Sequence, residues 1–208
     1  MIDIQENILS FCVTATPSSW SDQVPNYWQM LLVDHAHCER KAADFGLGLL
    51  KSYPDQLSLQ MPISKLVREE MRHFELVLML LERLNIEFIP LSPCRYAKGL
   101  HAHVRQHNRQ ERLLDLLIIA ALIEARSCER FLIMSAVFPD QKVQGFYQRL
   151  YEAEKRHYQD YRRFANDLFS PELVERRLEV LRAVENDLIL TEESVFRFHS
   201  GVPHKLVG

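Results

Sequence analysis

Glycine is scarce in this chain, six residues in 208, and none falls in a dinucleotide or flavin fingerprint. The four cysteines, Cys12, Cys38, Cys94 and Cys128, are widely spaced. They form no C-x-x-C pair and no iron–sulfur set, which argues against zinc knuckles and thioredoxin-type redox chemistry. Long apolar runs are missing too: the longest, Leu116 to Ile123, is far too short to cross a bilayer. The start of the sequence, Met1-Ile2-Asp3-Ile4-Gln5-Glu6, lacks the basic flank and apolar stretch of a signal peptide. Nor is there an overall excess of positive charge, since the formal net charge is −3 and the pI about 6.3. A basic nucleic-acid coat is therefore excluded. A cytoplasmic protein without membrane association is the expectation.

What the chain does hold is leucine-rich helical periodicity. With 47% hydrophobic and 25% charged residues, it can bury one sizeable core, and a single domain over residues 1–208 is expected. Apolar residues recur at three- and four-residue intervals in five segments. They run from about Pro25 to Leu50, Pro62 to Leu84, Arg109 to Val137, Asp140 to Leu168, and from Ser170-Pro171 to about Thr191. Ser170 suits the cap and Pro171 the first helical position. Strand signals are absent. Two short turns flank a long connection from about Ile86 to Gln110. Short, long, short is the connectivity of an all-α, ferritin-like four-helix bundle with one crossover, here with an additional C-terminal helix.

Polar residues interrupt the core pattern in a repeated way. The second segment carries Glu70-Met71-Arg72-His73 and the fourth Glu154-Lys155-Arg156-His157. Residues three apart on a helix lie about 60° apart around the axis and about 4.5 Å along it, so each Glu-x-x-His can grip one metal from one face. Glu39 lies 31 residues before Glu70, and Glu124 lies 30 residues before Glu154. The halves thus repeat one motif, a lone Glu and then Glu-x-x-His. A carboxylate-bridged dimetal site in a bundle needs this set: Glu39, Glu70, His73, Glu124, Glu154 and His157. Oxygen-rich ligation with two imidazoles suits iron or manganese better than zinc or copper.

Two assignments have competitors. Glu69 can pair with His73 at i, i+4, in place of Glu70. Glu129 rivals Glu124, but matched spacing and apolar neighbours favour Glu124, while flanking Arg126 and Arg130 make Glu129 a salt-bridge partner. His35 and His37 read as non-ligands.

At these residues the chain resembles the bacterial tRNA hydroxylases of the MiaE type. The resemblance rests on Asp34-His35, Cys38-Glu39 and Lys41-Ala42-Ala43, on Arg68-Glu69-Glu70 with His73, and on Arg95-Tyr96-Ala97 with Gly99-Leu100. It continues through Ile123 to Phe131, Glu154, Arg156-His157-Tyr158-Gln159 and Tyr161, and closes with Arg197 to Pro203. It implies oxygen-dependent hydroxylation of the isopentenyl side chain of methylthio-isopentenyladenosine beside the anticodon of tRNA. It also implies two iron ions, molecular oxygen as co-substrate, and an external electron donor, an electron-transfer reductase. The six acidic and imidazole residues above would be both metal ligands and catalytic centre. The crossover is the expected RNA surface, since Arg95, Lys98, Arg105 and Arg109 stand there with Arg112 against only Glu111, and cations on phosphate dominate RNA affinity. A second basic group on the fourth segment reads as surface. Rival readings are another diiron oxygenase, of the ubiquinone-pathway type, and a ferritin-like iron-oxidising protein.

Overall fold

A computed structural model describes residues 11–204 apart from residue 13. Among them are seven helices and one short strand pair: α1 (Ser18–Ser21), α2 (Val24–Ser52), α3 (Leu57–Arg83), α4 (Tyr96–His101), α5 (Arg109–Val137), α6 (Gln141–Leu168), α7 (Pro171–Leu190), β1 (Glu192–Glu193) and β2 (Val202–Pro203). The chain divides into two compact units, which are taken in turn. One is Tyr27–Ser92, and the other holds the described residues before it and after it. Helix α2 leaves helical geometry at Tyr27 (φ −124°, ψ 17°), where the units part.

The unit of Tyr27–Ser92 is a pair of long helices joined by a short turn. Gly46 on α2 makes the close approach possible: a methyl group there would come within 2.6 Å of Val67 Cγ2 on α3. Leu59, Ile63, Leu66, Val77 and Leu80 bury one face of α3, and Leu57, Met61 and Met79 stay exposed on the other. Helix α3 begins at Leu57 rather than near Pro62, so Pro62 lies inside it. Pro62 is the sixth residue of the helix, past the donors that lack intrahelical partners, so it forfeits the one bond that would run to Ser58 O. The helix ends as Asn85 turns into a positive φ of 53°, a conformation asparagine tolerates.

In the other unit, side-chain caps set the helix starts. Asn108 accepts from Gln110 N and Glu111 N at 2.8 and 3.1 Å to open α5. Asp140 does the same for Lys142 N and Val143 N at 2.7 and 3.1 Å to open α6. Ser170 caps α7, with Pro171 in its first turn. Helix α5 is buried without interruption from Leu113 to Leu122. Two features depart from expectation. The crossover contains α4, whose Gly99 lets the backbone approach Leu188 of α7, since a Cβ there would stand only 2.6 Å from Leu188 Cδ2. Beyond α7 the chain forms a parallel pairing, Glu192 with Val202 and Glu193 with Pro203, although strand signals are absent from the sequence. Two-residue strands are too short to show alternation; tertiary hydrogen bonds create this one.

That C-terminal stretch is packed as core. Phe198, His199, Ser200 and Gly201 are buried. Arg130, fully buried on α5, donates to Phe198 O and, at 2.8 Å, to Ser200 O. Its guanidinium also lies 4.3 Å from the Trp20 ring centre, and Trp20 Nε1 donates to Arg197 O at 3.1 Å. His199 stacks on Tyr96 with ring centres 5.1 Å apart and sits 3.0 Å from Ser127 Oγ. No described helix is long and apolar enough to cross a membrane.

Candidate metal centre

Each unit holds one carboxylate–imidazole triad. In the first, α2 places Glu39 and α3 places Glu70 and His73, all buried. His73 Nδ1 lies 3.7 Å from Glu39 Oε2 and 3.7 Å from Glu70 Oε2. One ligand atom from each of the three falls within 4.8 Å of the others. Glu39 is also gripped from its own helix: His35 Nε2 lies 2.5 Å from Glu39 Oε1, one turn away. Burial alone would raise the Glu39 carboxyl, but His35 and His73 outweigh it and hold the group well below the usual carboxylate range. An ionised carboxylate is what metal ligation needs.

In the other unit α5 supplies Glu124 and α6 supplies Glu154 and His157, again all buried. His157 Nδ1 and Glu154 Oε2 are 2.7 Å apart, and the triad offers donor atoms within 4.8 Å of one another. Cys128 follows Glu124 by one turn. Burial, and then the charges of Glu154 and Glu124, push its thiol well above the usual range.

The donor chemistry fits iron. Each triad offers two carboxylates and one imidazole, hard oxygen ligands that neutralise a divalent ion with one nitrogen beside them. The competitors have other surroundings. Glu129 accepts from Thr16 N at 2.7 Å, from Thr16 Oγ1 at 2.5 Å and from Arg126; Glu69 is half-buried. His37 is turned to Ile89 O at 2.8 Å and to the Phe88 ring.

Of the cations expected to meet RNA, two are held within the fold. Arg105 donates from Nε and Nη2 to the buried Asp115, at 3.0 and 2.7 Å. Arg95 donates to Thr191 O at 2.8 Å and lies 3.8 Å from Glu193. Lys98 and Arg109 are exposed. Sequence reasoning missed a buried polar network behind the Glu124 triad. Arg126 Nε donates to Glu185 Oε1 at 2.7 Å, and Tyr96 OH donates to the same oxygen at 2.9 Å. The only sequence signal is Glu185 on the apolar stripe of α7, which periodicity alone does not separate from a surface acid.

Comparison with known proteins follows the same line. The sequence model of a family described as tRNA-(MS[2]IO[6]A)-hydroxylase (MiaE) matches residues 3–200. A relative from Pseudomonas putida, named tRNA 2-(methylsulfanyl)-N(6)-isopentenyladenosine(37) hydroxylase, is 40% identical over 96% of each chain. A protein of the same name from Salmonella typhimurium is 35% identical over 94% of this chain and 90% of its own. A solved structure described as "Protein 43 with aldehyde deformylating oxygenase activity from Synechococcus" is 33% identical and superposes with a TM-score of 0.87, covering 92% of this chain and 96% of the other. The fold is accordingly a ferritin-like four-helix bundle with a crossover between its second and third long helices and a further C-terminal helix.

Proposed function

We infer the reaction from membership: this chain belongs to the MiaE family of tRNA hydroxylases. It hydroxylates the isopentenyl side chain of 2-methylthio-N6-isopentenyladenosine next to the anticodon of tRNA. The observation that carries this reading is the repeated triad, Glu39 with Glu70 and His73, and Glu124 with Glu154 and His157. In it, six buried donors of the right chemistry stand in a chain matched over nearly its full length by the family.

The six residues are assigned as the ligands of two iron ions. Bound iron supplies the reduction of molecular oxygen, whose one atom ends in the substrate C–OH and the other in water. That balance takes two electrons and two protons per turnover, and the chain has no flavin, dinucleotide or iron–sulfur signature, so a separate reductase delivers the electrons. The protein's own residues do the rest. His35 fixes the Oε1 side of Glu39, leaving Oε2 on the side of His73. The buried run Leu113–Leu122 leads up to Glu124 and keeps water from a reaction that leaks oxidant when wet. A substrate C–H next to a double bond is the weakest on the isopentenyl group, because the resulting radical is delocalised.

A second reading has one observation behind it, the solved oxygenase described by its aldehyde activity. The curated relatives match at higher identity and name a nucleoside substrate, which ranks the tRNA reading first. The test is nucleoside mass spectrometry on tRNA carrying methylthio-isopentenyladenosine, incubated with iron-loaded protein, oxygen and a reductant. One oxygen gained on the isopentenyl group is the expected result. No gain from protein shown to hold iron and accept electrons sinks the reading, and deformylation of an aldehyde by the same sample would favour the alternative.

A further inference from the structure

The outer face of α3 carries a row that the metal chemistry does not use. Met61, Lys65, Arg68, Arg72 and Met79 are all exposed and are separated by four, three, four and seven residues, the period of a single helix stripe. The three cations span about 10 Å of helix axis. Glu70 and His73 point to the buried face of the same turns. Between Lys65 and Arg72 the only acids are Glu69, half-buried, and the buried Glu70. Arg68 donates to Ser64 Oγ at 3.0 Å, a neutral contact. Arg72 pairs with Glu75 at 3.2 Å, with both side chains more than half exposed, and such a pair is worth little and yields easily to a stronger anion.

The internal repeat allows a comparison. Arg156 stands before His157 as Arg72 stands before His73, and Arg149 matches Lys65. On α6 acids interleave: Lys155 donates to Glu152 at 2.8 Å and Arg163 to Asp160 at 2.5 Å. Both helices thus carry i,i+3 ion pairs of the same kind; what marks α3 is that Lys65, Arg68 and Arg72 fall on one continuous stripe. In the crossover, Arg95 and Arg105 are spent on internal partners.

We propose that the Lys65–Arg68–Arg72 row on α3 is a binding surface for the phosphate backbone of the tRNA substrate. The proposal rests on the tRNA reading above and adds the place of contact. Phosphates seated on this ridge lie one helix diameter, about 10 Å, from the face that bears Glu70 and His73. That distance suits a loop that anchors its backbone outside and extends one base inward, as enzymes acting on bases do. Exposed Met61 and Met79 end the row with flexible, polarizable side chains against which neighbouring bases can lie.

The test uses the full chain, iron-loaded, with Lys65→Gln/Arg68→Gln/Arg72→Gln set against an Arg149→Gln/Arg163→Gln control. The probes are tRNA carrying the modified adenosine and the same tRNA transcribed without it, titrated across a series of salt concentrations. Each phosphate contact to a single-stranded loop contributes about 0.7 of a unit of slope in log affinity against log salt. The triple variant should therefore lose about two units of slope and at least tenfold in affinity for both tRNAs at low salt, while the control keeps both. Iron content and melting temperature should match wild type, and at saturating tRNA kcat should be retained while KM rises. Unchanged slope and affinity in the triple variant would overturn the proposal, as would a wild type that binds neither tRNA. Loss of reductase-driven turnover at unchanged tRNA affinity would assign the ridge to a protein partner and overturn it equally. Wild type that binds through the ridge yet hydroxylates nothing would leave the surface standing and defeat the reaction assigned above.

Discussion

At the scale of single residues, the side chains that matter most are charges with no water around them. Arg126 and Glu185 are both fully buried and joined at 2.7 and 2.9 Å, and Tyr96 OH completes the group. Removing one partner of such a pair leaves the other charge uncompensated, at about 3–5 kcal/mol. Glu185→Ala should therefore lower unfolding free energy by that order in urea titrations, and a loss under about 1 kcal/mol would show that solvent reaches the pair. His35 acts by another route, as the neighbour that orients Glu39. Outer partners of metal ligands are worth about 10–100-fold in affinity. His35→Gln is expected to weaken iron retention by that factor in chelator competition, with helicity by circular dichroism unchanged; full retention would make the contact incidental.

At the scale of elements, one carboxylate ties three segments together. Asp115 on α5 takes Arg105 from the end of the crossover and Arg177 from α7, with Arg177 Nε at 2.7 Å. Burial would raise the Asp115 carboxyl, but hydrogen bonds from Arg105 and Arg177 outweigh it and hold it below its ordinary 3.8. A carboxyl depressed in the folded state adds stability that is complete above its unfolded pKa and is lost as pH falls through the folded value. The stability gap between wild type and Asp115→Asn should therefore be flat from about pH 5 to 8, on the order of 2 kcal/mol. Below about pH 4 it should shrink; a gap that widens on acidification would mean the clamp is not ionic.

The same elements show how far the sequence could be read. The start of α7 was legible because Ser170-Pro171 announces it chemically, while periodicity and Pro139 mark α5 and α6, whose Asn108 and Asp140 caps emerge only in the structure. The start of α3 was not, since Gln56 offers no side-chain cap and Pro62 looked like a boundary. Helix α4 was hidden because six residues give periodicity nothing to repeat. Both triads were legible as Glu and Glu-x-x-His at matched spacing. The commitments of Arg95 and Arg105 were not, because their partners Glu193 and Asp115 are fixed by tertiary packing.

At the scale of the whole molecule, the proposed ligands come from helices far apart in sequence, so metal binding would be tied to folding. Anything that binds only the native state stabilises it by mass action. Anaerobic addition of ferrous iron should raise the melting temperature of wild type by several degrees in calorimetry. Glu70→Ala and His157→Ala, still helical, should show no shift and hold no iron; a normal iron content in both would rule out the ligand set.

The order of synthesis gives the gripped C-terminal stretch a further meaning. A ribosome delivers residues 196–201 only after every long helix has emerged. Until then Arg130 lacks the carbonyls of Phe198 and Ser200, and Tyr96 lacks the ring it stacks against. The site that Gly201 fills, where any Cβ would overlap backbone oxygens of Thr191 and Leu188, also stays open. A nascent chain stalled short of this point carries both triads yet cannot close its core around the Arg126–Arg130 face of α5. A chain truncated before residue 196 is therefore expected to be cleaved by added protease faster than the full chain.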